Sequence, residues 1–202
     1  MEVLVGRQRS FDRDHVLNQA MLLFWERGFE ATSMADLSTA MGLKPPSIYA
    51  AFGNKEALFE TCAEYYAQNI AAYAPRALAE EATTTQAVRR LLCNAIETFC
   101  ADETPKGCLL VSGATNCSKA GAGAGAQDVL VGYRSATEAL IADRIKRGIG
   151  DGDMPSDTDV DLLAKYISVL IQGLATQSRD GVASGALHQV AELALKQVNA
   201  FS

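Results

Sequence analysis

The sequence predicts an all-α protein with an N-terminal and a C-terminal part, and three observations lead to this prediction. Apolar residues recur at helical spacing along most of the 202 residues. Residue types that start or stop helices separate these segments. No stretch shows the alternation typical of a half-buried β-strand. We expect a three-helix N-terminal domain over residues 1–54, joined by a long helix to a C-terminal helical bundle, with residues 55–202 forming the second domain.

Two helices are expected before residue 43. The first should cover 12–27, with Asp12 as its N-cap, because an aspartate side chain accepts hydrogen bonds from the free amides of a first helical turn. Thr32 and Ser33 offer capping hydroxyls for a second helix, which Gly42 should end.

The third helix is predicted to begin at two consecutive prolines, Pro45 and Pro46, and to continue to Phe52. Proline has no amide hydrogen, and the amides of a first helical turn have no partner inside the helix, so proline is tolerated there. The prolines therefore start a helix. Three short helices, with a tight turn between the second and third, match a helix-turn-helix domain.

The C-terminal part is predicted to hold longer helices. Asn54 should cap a helix that passes Tyr73 and ends at Pro75. The remaining helices are expected at 85–101, at 127–147, from Ser156 or Asp157 to about 179, and at 186–200, with a short helix or irregular piece at 108–117.

Composition excludes several classes of protein. No apolar run reaches the roughly 18 to 20 residues that a membrane-spanning helix needs, and the N-terminus lacks a signal-peptide core, so we expect a cytoplasmic protein with no membrane partner. The five cysteines include no C-x-x-C pair and only two histidines are present, so free thiols and no metal are expected. We also expect no cofactor and no catalysis, since no paired acids or nucleophile arrangement stands out.

The net charge of −6 is unevenly distributed. Residues 1–56 carry six basic and seven acidic side chains, whereas the remainder carries twelve and seventeen. The acidity therefore lies mainly in the C-terminal part, and the chain begins with a basic arm. An overall negative charge does not exclude a local surface that binds nucleic acid.

The helix expected near 157–179 is apolar on two sides, so both sides need to be covered. It could be the central helix of a monomeric bundle. A two-fold homodimer is favoured, because helix-turn-helix proteins bind paired DNA half-sites and most soluble oligomers are symmetric dimers. The predicted dimer interface comprises Leu162, Tyr166, Val169, Leu170, Gly173, Leu187, Val190 and Ala194.

A specific motif spans residues 23–59, which read LFWERGFEATSMADLSTAMGLKPPSIYAAFGNKEALF. The positions that define it are Phe24, Gly28, Phe29, Thr32, Ser33, Gly42, Ser47, Tyr49, Phe52, Lys55 and Leu58. Residues 12–60, which contain this motif, resemble the N-terminal domain of the tetracycline-repressor (TetR) family of bacterial regulators. The resemblance implies a ligand-responsive transcriptional regulator, a repressor that leaves a near-palindromic double-stranded DNA operator when a small-molecule effector binds.

The resemblance, the helix starts and the basic arm together indicate which residues face DNA. The predicted contacts are Arg9, Thr32, Ser33, Lys44, Pro45, Pro46, Ser47, Tyr49, Ala50 and Lys55. Two positions depart from the family pattern, which commonly has Ser-Lys where Lys44 and Pro45 stand and a bulky pair where Ala50 and Ala51 stand. Because Lys44 is the single side chain of this helix that strongly reads base edges, we expect few direct contacts to bases. DNA shape should then supply part of the sequence specificity.

The effector pocket is predicted from aromatic and polar residues on inward-facing stripes, namely Tyr66, Phe99, Cys108, Tyr133, Tyr166 and Gln172. Cys108 lies in a G-C-L-L segment that resembles one in family members that sense oxidants or electrophiles. A thiol-based repressor, with Lys106 lowering the pKa of Cys108, is therefore an alternative; a packed core thiol is the simpler interpretation. A helical binding module or enzyme that does not bind DNA is an alternative of another class.

Overall fold

The computed structural model describes residues 12–114 and 123–200, and this part of the chain is entirely helical in its regular structure, which confirms the all-α prediction. Ten α-helices lie within it: α1 Arg13–Arg27, α2 Met34–Met41, α3 Pro45–Phe52, α4 Lys55–Asn69, α5 Tyr73–Glu80, α6 Thr84–Cys100, α7 Leu109–Ser112, α8 Ala124–Asp151, α9 Val160–Arg179 and α10 Ser184–Ala200. Helices α1 to α3 form the helix-turn-helix unit, and α5 to α10 form the bundle.

The predicted starts of α1 and α2 are confirmed, with one correction. The Asp12 carboxylate accepts hydrogen bonds from the amides of Asp14 and His15 at 3.1 and 3.2 Å. Ser33 caps α2 in a reciprocal capping box with Asp36. Thr32, also expected to offer a capping hydroxyl, is fully buried instead, and its hydroxyl donates to the Gly28 carbonyl at 2.7 Å.

The predicted start of the third helix is confirmed. Lys44 occupies the N-cap position of α3, and Pro45 and Pro46 occupy its first two positions. Gly42 ends α2 in the left-handed conformation at φ 63°, which a residue with a Cβ adopts at a steric cost. The turn between α2 and α3 is therefore short and fixed at both ends.

The prediction of one helix from Lys55 past Tyr73 is wrong. Helix α4 ends at Asn69, and a separate helix, α5, begins at Tyr73. Pro75 lies in the first turn of α5, where its missing amide costs nothing. Pro75 therefore lies at a helix start, as Pro45 does, and no residue type at 70–72 marks the break in advance.

Three further boundaries differ from the predictions. Helix α8 is longer than expected at both ends, and Gly152 ends it at φ 80°. Helix α9 is capped by Asp159, whose carboxylate accepts from the Leu162 amide at 3.0 Å, and not by Ser156 or Asp157. The segment 108–117 contains the four-residue helix α7, and residues 115–117 lie outside the described part. In that part, no helix has both the length and the apolar character needed to cross a bilayer.

Helix α4 joins the helix-turn-helix unit to the bundle. It packs on α1 on one side and on α8 on the other. The Phe24 ring meets Phe59 edge-on with ring centres 5.1 Å apart, and Trp25 meets Tyr66 edge-on at 4.9 Å. Such aromatic pairs add about 0.5 to 1.5 kcal/mol each beyond the apolar area they bury. The core is therefore continuous from α1 through α4 into the bundle.

A second connection between the two parts is polar. The amide of Phe29, in the turn after α1, donates to the Gly113 carbonyl at 2.7 Å. Arg179, at the end of α9, donates to the carbonyls of Trp25 and Glu26 at 3.2 and 2.7 Å, and to the Ser112 hydroxyl at 3.1 Å. These bonds hold the end of α1 against α7 and α9.

Candidate DNA-binding surface and effector cavity

Helix α3 presents one face to solvent and the other to the core. Ile48 and Phe52 are buried and hold the helix against the rest of the helix-turn-helix unit. The six predicted DNA contacts in and before this helix are exposed: Lys44, Pro45, Pro46, Ser47, Tyr49 and Ala50. Tyr49 is 49% exposed, so it is not a packed aromatic, and its hydroxyl is free to reach a DNA backbone. Among the exposed residues of 44–52, Lys44 at the N-cap is the single cation.

The predicted DNA contacts outside α3 differ in their surroundings. Ser33 is exposed at the start of α2. Its hydrogen bonds to Asp36 hold the pKa of that carboxyl below its usual value, with Arg27 adding to the effect. Lys55 starts α4 with its ammonium 4.2 Å from the centre of the Phe29 ring. Arg9 lies outside the described residues.

Thr32 is a correction among the DNA contacts. Its side chain is fully buried and its hydroxyl is engaged by the Gly28 carbonyl, so the side chain is not available to a phosphate. The reason is local. The turn after α1 closes on itself through this bond and through the bond of the Thr32 amide to the Phe29 carbonyl.

A small cavity lies inside the bundle between α5, α6, α7, α8 and α9. Its volume is about 60 Å³. Four of the predicted effector residues line it, namely Phe99, Cys108, Tyr133 and Gln172. The other lining residues are Ala71, Tyr73, Ala74, Leu91, Leu110, Val111, Arg134, Thr137, Ser168 and Ile171. The wall is therefore mostly apolar, with a few polar groups that could orient a ligand.

Two predicted pocket residues do not line this cavity. Tyr66 is fully buried behind the wall, and its hydroxyl faces the Cys108 thiol and the Leu109 amide without a hydrogen bond of good geometry. Tyr166 is 39% exposed on the outer face of α9, because the side of the helix that carries it points away from the bundle. Periodicity showed that α9 has two apolar faces but could not say which one faces inward.

The cysteine in the wall is held as a thiol. Burial raises the pKa of Cys108, and the neighbouring Tyr66 hydroxyl, nearby backbone amides and Arg134 counteract that rise in part. Lys106 was expected to activate this cysteine, but its ammonium turns to the carbonyls of Cys100 and Ala101 and to Asp102, at 2.7, 3.0 and 2.7 Å. Lys106 is therefore engaged by the carbonyls at the end of α6 and by Asp102, and it does not act on the Cys108 thiol.

The sequence prediction missed Arg134 and Tyr73 as cavity residues. Burial raises the pKa of Tyr73 and lowers that of Arg134, as expected for groups that lose water. Arg134 follows Tyr133 directly on α8, a helix with little separation of polar and apolar faces. No periodic signal therefore marked the inward side of this helix.

Helices α9 and α10 expose an apolar surface on the outside of the bundle. Leu162, Tyr166, Val169 and Gly173 follow one another at i, i+4, i+7 and i+11 along α9, and Val190 is exposed on α10. Leu193, 62% exposed beside them, was not predicted. Leu170 is partly buried. Leu187 and Ala194 are wrong as interface residues, because they face inward and are 2% and 3% exposed.

Two family models match the chain. The model described as "Bacterial regulatory proteins, tetR family" matches residues 16–62, which contain α2, α3 and most of α1 and α4. The model described as "Tetracyclin repressor-like, C-terminal domain" matches residues 84–192, which is more than half of the chain. The chain belongs to the tetR family of bacterial regulatory proteins. It is accordingly a DNA-binding transcriptional regulator and not an enzyme, and the resemblance identified in the sequence is confirmed.

Relatives of this tetR-family protein match it over nearly its whole length. The HTH-type transcriptional repressor ComR of Escherichia coli (strain K12) is 33% identical over 95% of this chain and 90% of ComR. The repressor BdcR of the same organism is 27% identical over 87% of this chain and 83% of BdcR. Both are transcriptional repressors.

A solved structure of similar fold contains DNA. A cysteine mutant of the TetR family regulator CifR, complexed with 26-bp double-strand operator DNA, is 38% identical to this chain. The similarity covers 94% of this chain and 98% of the CifR chain, with a TM-score of 0.90. That structure also contains apo-CifR, and a second CifR cysteine mutant complexed with the 26-bp operator DNA gives a TM-score of 0.91 at 38% identity. The arrangement of the helix-turn-helix unit on the bundle is thus similar to that in an operator complex.

Proposed function

We propose that this protein is a homodimeric cytoplasmic repressor that binds a near-palindromic operator and leaves it when a small molecule enters the bundle. The observation that supports this most strongly is the free face of α3, where the six predicted contacts at 44–47, 49 and 50 are exposed while Ile48 and Phe52 anchor the helix from behind. The repressor relatives and the operator-bound CifR complex support the same function. In this proposal, residues 1–54 bind DNA, and residues 55–202 bind the effector and the partner.

The proposed DNA contacts divide into backbone and base contacts. Ser33, Tyr49 and Lys55 would hold phosphates, since a hydroxyl or amide at a helix start and an ammonium are suited to that role. Lys44 would read a base edge, and Pro45, Pro46, Ser47 and Ala50 would lie against bases in the major groove. The arm that carries Arg9 would add a phosphate or minor-groove contact. Because base-reading groups are few, DNA shape should contribute to specificity.

The proposed dimer forms through the outer stripes of α9 and α10. Leu162 and Leu193 are each more than 60% exposed, and large apolar side chains gathered on one face mark an interaction surface. A two-fold axis across this face would set two α3 helices on successive major grooves. The change Leu162→Asp should therefore produce monomers, measured by analytical ultracentrifugation. Because a monomer can bind only one half-site at a time, its affinity for the complete operator should also fall.

The proposed release mechanism follows from the size of the cavity. About 60 Å³ is far below the roughly 300 to 1,000 Å³ of sites that hold drug-sized ligands. An effector must then enlarge the cavity, so it binds more tightly to a conformer that differs from the one resembling operator-bound CifR. The difference between its affinities for the two conformers sets how far it lowers the affinity for DNA. Helix α7 connects the cavity to the end of α1. Leu110 and Val111 line the cavity, the Gly113 carbonyl accepts from the Phe29 amide just after α1, and the Ser112 hydroxyl accepts from Arg179, which also bonds to Glu26 in α1.

Operator binding provides the direct test. A gel shift on the DNA upstream of the protein's own gene should show binding that weakens steeply as salt rises, because each phosphate contact releases counterions. A scrambled sequence of the same length is the control. Absence of binding at low salt would contradict the proposal and favour a helical module that does not bind DNA.

A thiol-based switch at Cys108 is a second candidate, supported by the position of this residue in the cavity wall beside the Arg134 cation. Burial raises the pKa of the thiol, so reaction requires a reagent that enters the cavity. A Cys108→Ser variant should then keep its operator in the presence of quinones or peroxide, whereas Cys93→Ser, a matched change on the outer part of α6, should release it as the wild type does. Equal release by both variants rules this candidate out.

A further inference from the structure

The cavity contains a cation for which the described structure provides no counter-charge. Arg134 lines the cavity and is half-buried. Its guanidinium donates to the Leu110 carbonyl at 2.6 Å. No ion pair within residues 12–114 and 123–198 includes Arg134. A guanidinium has five N–H donors, so several remain for another acceptor.

Acidic residues near the cavity do not neutralise this cation. Burial raises the pKa of Tyr133, and the charges of Glu64 and Glu60 raise it further. Those carboxylates thus act on Tyr133, whereas the titratable group that bears on Arg134 is Cys108, whose pKa burial raises. At neutral pH the neighbourhood of Arg134 therefore contains a positive charge and a neutral thiol.

The remaining wall accepts a mainly apolar molecule. Leu91, Phe99, Leu110 and Ile171 supply hydrocarbon surface, and Gln172 adds a polar group to the same wall. The volume of about 60 Å³ exceeds the roughly 10 to 15 Å³ that a cavity needs to hold one water molecule, and it is far below the volume of a drug-sized site. A charged headgroup with a short chain or a single ring is then the kind of ligand that the site can accept with modest enlargement.

We propose that this cavity binds a small monocarboxylate with an apolar body, and that Arg134 receives the carboxylate. A carboxylate matches the planar fork of a guanidinium and can bind it through two parallel hydrogen bonds. The bond from Arg134 to Leu110 positions the fork, and it also places the ligand's charge against α7. This inference rests on the proposed function and names the effector class for the same cavity.

Binding can be measured without DNA, since Trp25 is the single tryptophan of the chain and its ring packs against Tyr66, whose hydroxyl faces the cavity wall. The probes are butanoate, hexanoate, octanoate, benzoate and phenylacetate, each compared with its primary amide, by tryptophan fluorescence and calorimetry at neutral pH. At least one carboxylate should bind about tenfold or more tightly than its amide, as expected for a hydrogen bond between charged groups.

The variants separate a role in binding from a role in folding. Arg134→Gln should abolish the preference for carboxylate over amide, and Arg134→Lys should keep part of it because the charge remains. Arg147→Gln is the matched control, since this arginine is also on α8 but binds the Leu78 and Ala79 carbonyls outside the cavity. The preference is a ratio within one protein, so a loss of stability does not imitate it.

Three results would overturn the inference. They are equal binding of acids and amides by the wild type, an unchanged preference in Arg134→Gln, and the absence of any carboxylate binding tighter than about 1 mM. Operator binding measured on the same samples keeps the two proposals apart. Carboxylates that bind the cavity but leave operator affinity unchanged contradict effector control, whereas operator binding without any carboxylate binding contradicts this inference alone.

Discussion

Arg179 offers a test of how the bundle controls the helix-turn-helix unit. It forms three hydrogen bonds across the junction, to the carbonyls of Trp25 and Glu26 and to the Ser112 hydroxyl. The change Arg179→Gln removes the charge and leaves a shorter side chain with one amide group. If the three bonds are present only in the DNA-binding conformer, their loss should weaken operator binding.

The size of the effect follows from the exposure of the arginine. A hydrogen bond to a group in contact with water contributes about 0.5 kcal/mol, the lower end of the usual range. Loss of two of the three bonds then costs about 1 kcal/mol per protomer, and about 2 kcal/mol for a dimer. This corresponds to a rise of about 30-fold in the operator Kd, which is an upper limit because bonds retained in the other conformer would cancel.

Fluorescence anisotropy with a labelled operator at fixed salt measures this change. Arg76→Gln is the control, since that exposed arginine bonds to the Ala72 carbonyl of its own helix region and does not reach α1. A change of less than about threefold in the operator Kd of Arg179→Gln would refute the reasoning. So would a lowered melting temperature with unchanged operator affinity, because the bonds would then stabilise the fold equally in both conformers.

Three further predictions follow from the structure. Tyr49→Phe removes one exposed hydroxyl and should weaken operator binding by about three- to tenfold at all sequences, measured by gel shift, since a phosphate contact carries no base information. Gly148→Ala should lower the melting temperature by several degrees, because the added methyl group would collide with the Thr84 hydroxyl and the Asp153 carboxylate. The pKa of Asp36 is lowered in the folded state, so its stabilising effect is present above about pH 4 and is lost as pH falls through that lowered pKa. In Asp36→Asn, the melting temperature should therefore fall less steeply as the pH is lowered below about 4.

Each of these predictions has a control or a contradicting result. Unchanged operator affinity in Tyr49→Phe would place this hydroxyl away from the phosphates. Gly150→Ala should stabilise the same helix by about 0.5 to 1 kcal/mol, because nothing lies near its added methyl group and alanine favours helix. Stabilisation by Gly148→Ala would show that its neighbours move aside easily. A profile of Asp36→Asn parallel to that of the wild type would mean that other carboxyls dominate acid unfolding.

Local interactions explain why much of the N-terminal part could be predicted. A cap, a glycine in the left-handed conformation and a proline in a first turn act on residues next to them in the chain, so Asp12, Ser33, Gly42 and Pro45 specify their helix boundaries directly. The same reasoning failed at Pro75, because a proline permits a helix start as readily as it ends a helix. The choice there depends on how α5 packs against α6 and α8.

Residues far apart in the sequence decide the rest of the candidate site. Thr32 looked like a surface hydroxyl and Tyr166 like a pocket residue, yet packing turned the first inward and the second outward. Arg134 had no recognisable pattern in the sequence, because its role depends on which groups surround it in space, and no carboxylate of the described residues forms an ion pair with it.

The sequence by itself determined the helical class, the helix-turn-helix motif with its exposed α3 face, and the family, since these depend on residue types at short, fixed spacings. Only the tertiary structure decided which face of α9 points outward, which side chains enclose the cavity and which arginine in it has no ion-pair partner among the described residues. Those properties arise when α6, α8 and α9 come together from distant parts of the chain, and burial and electrostatics act on neighbours in space.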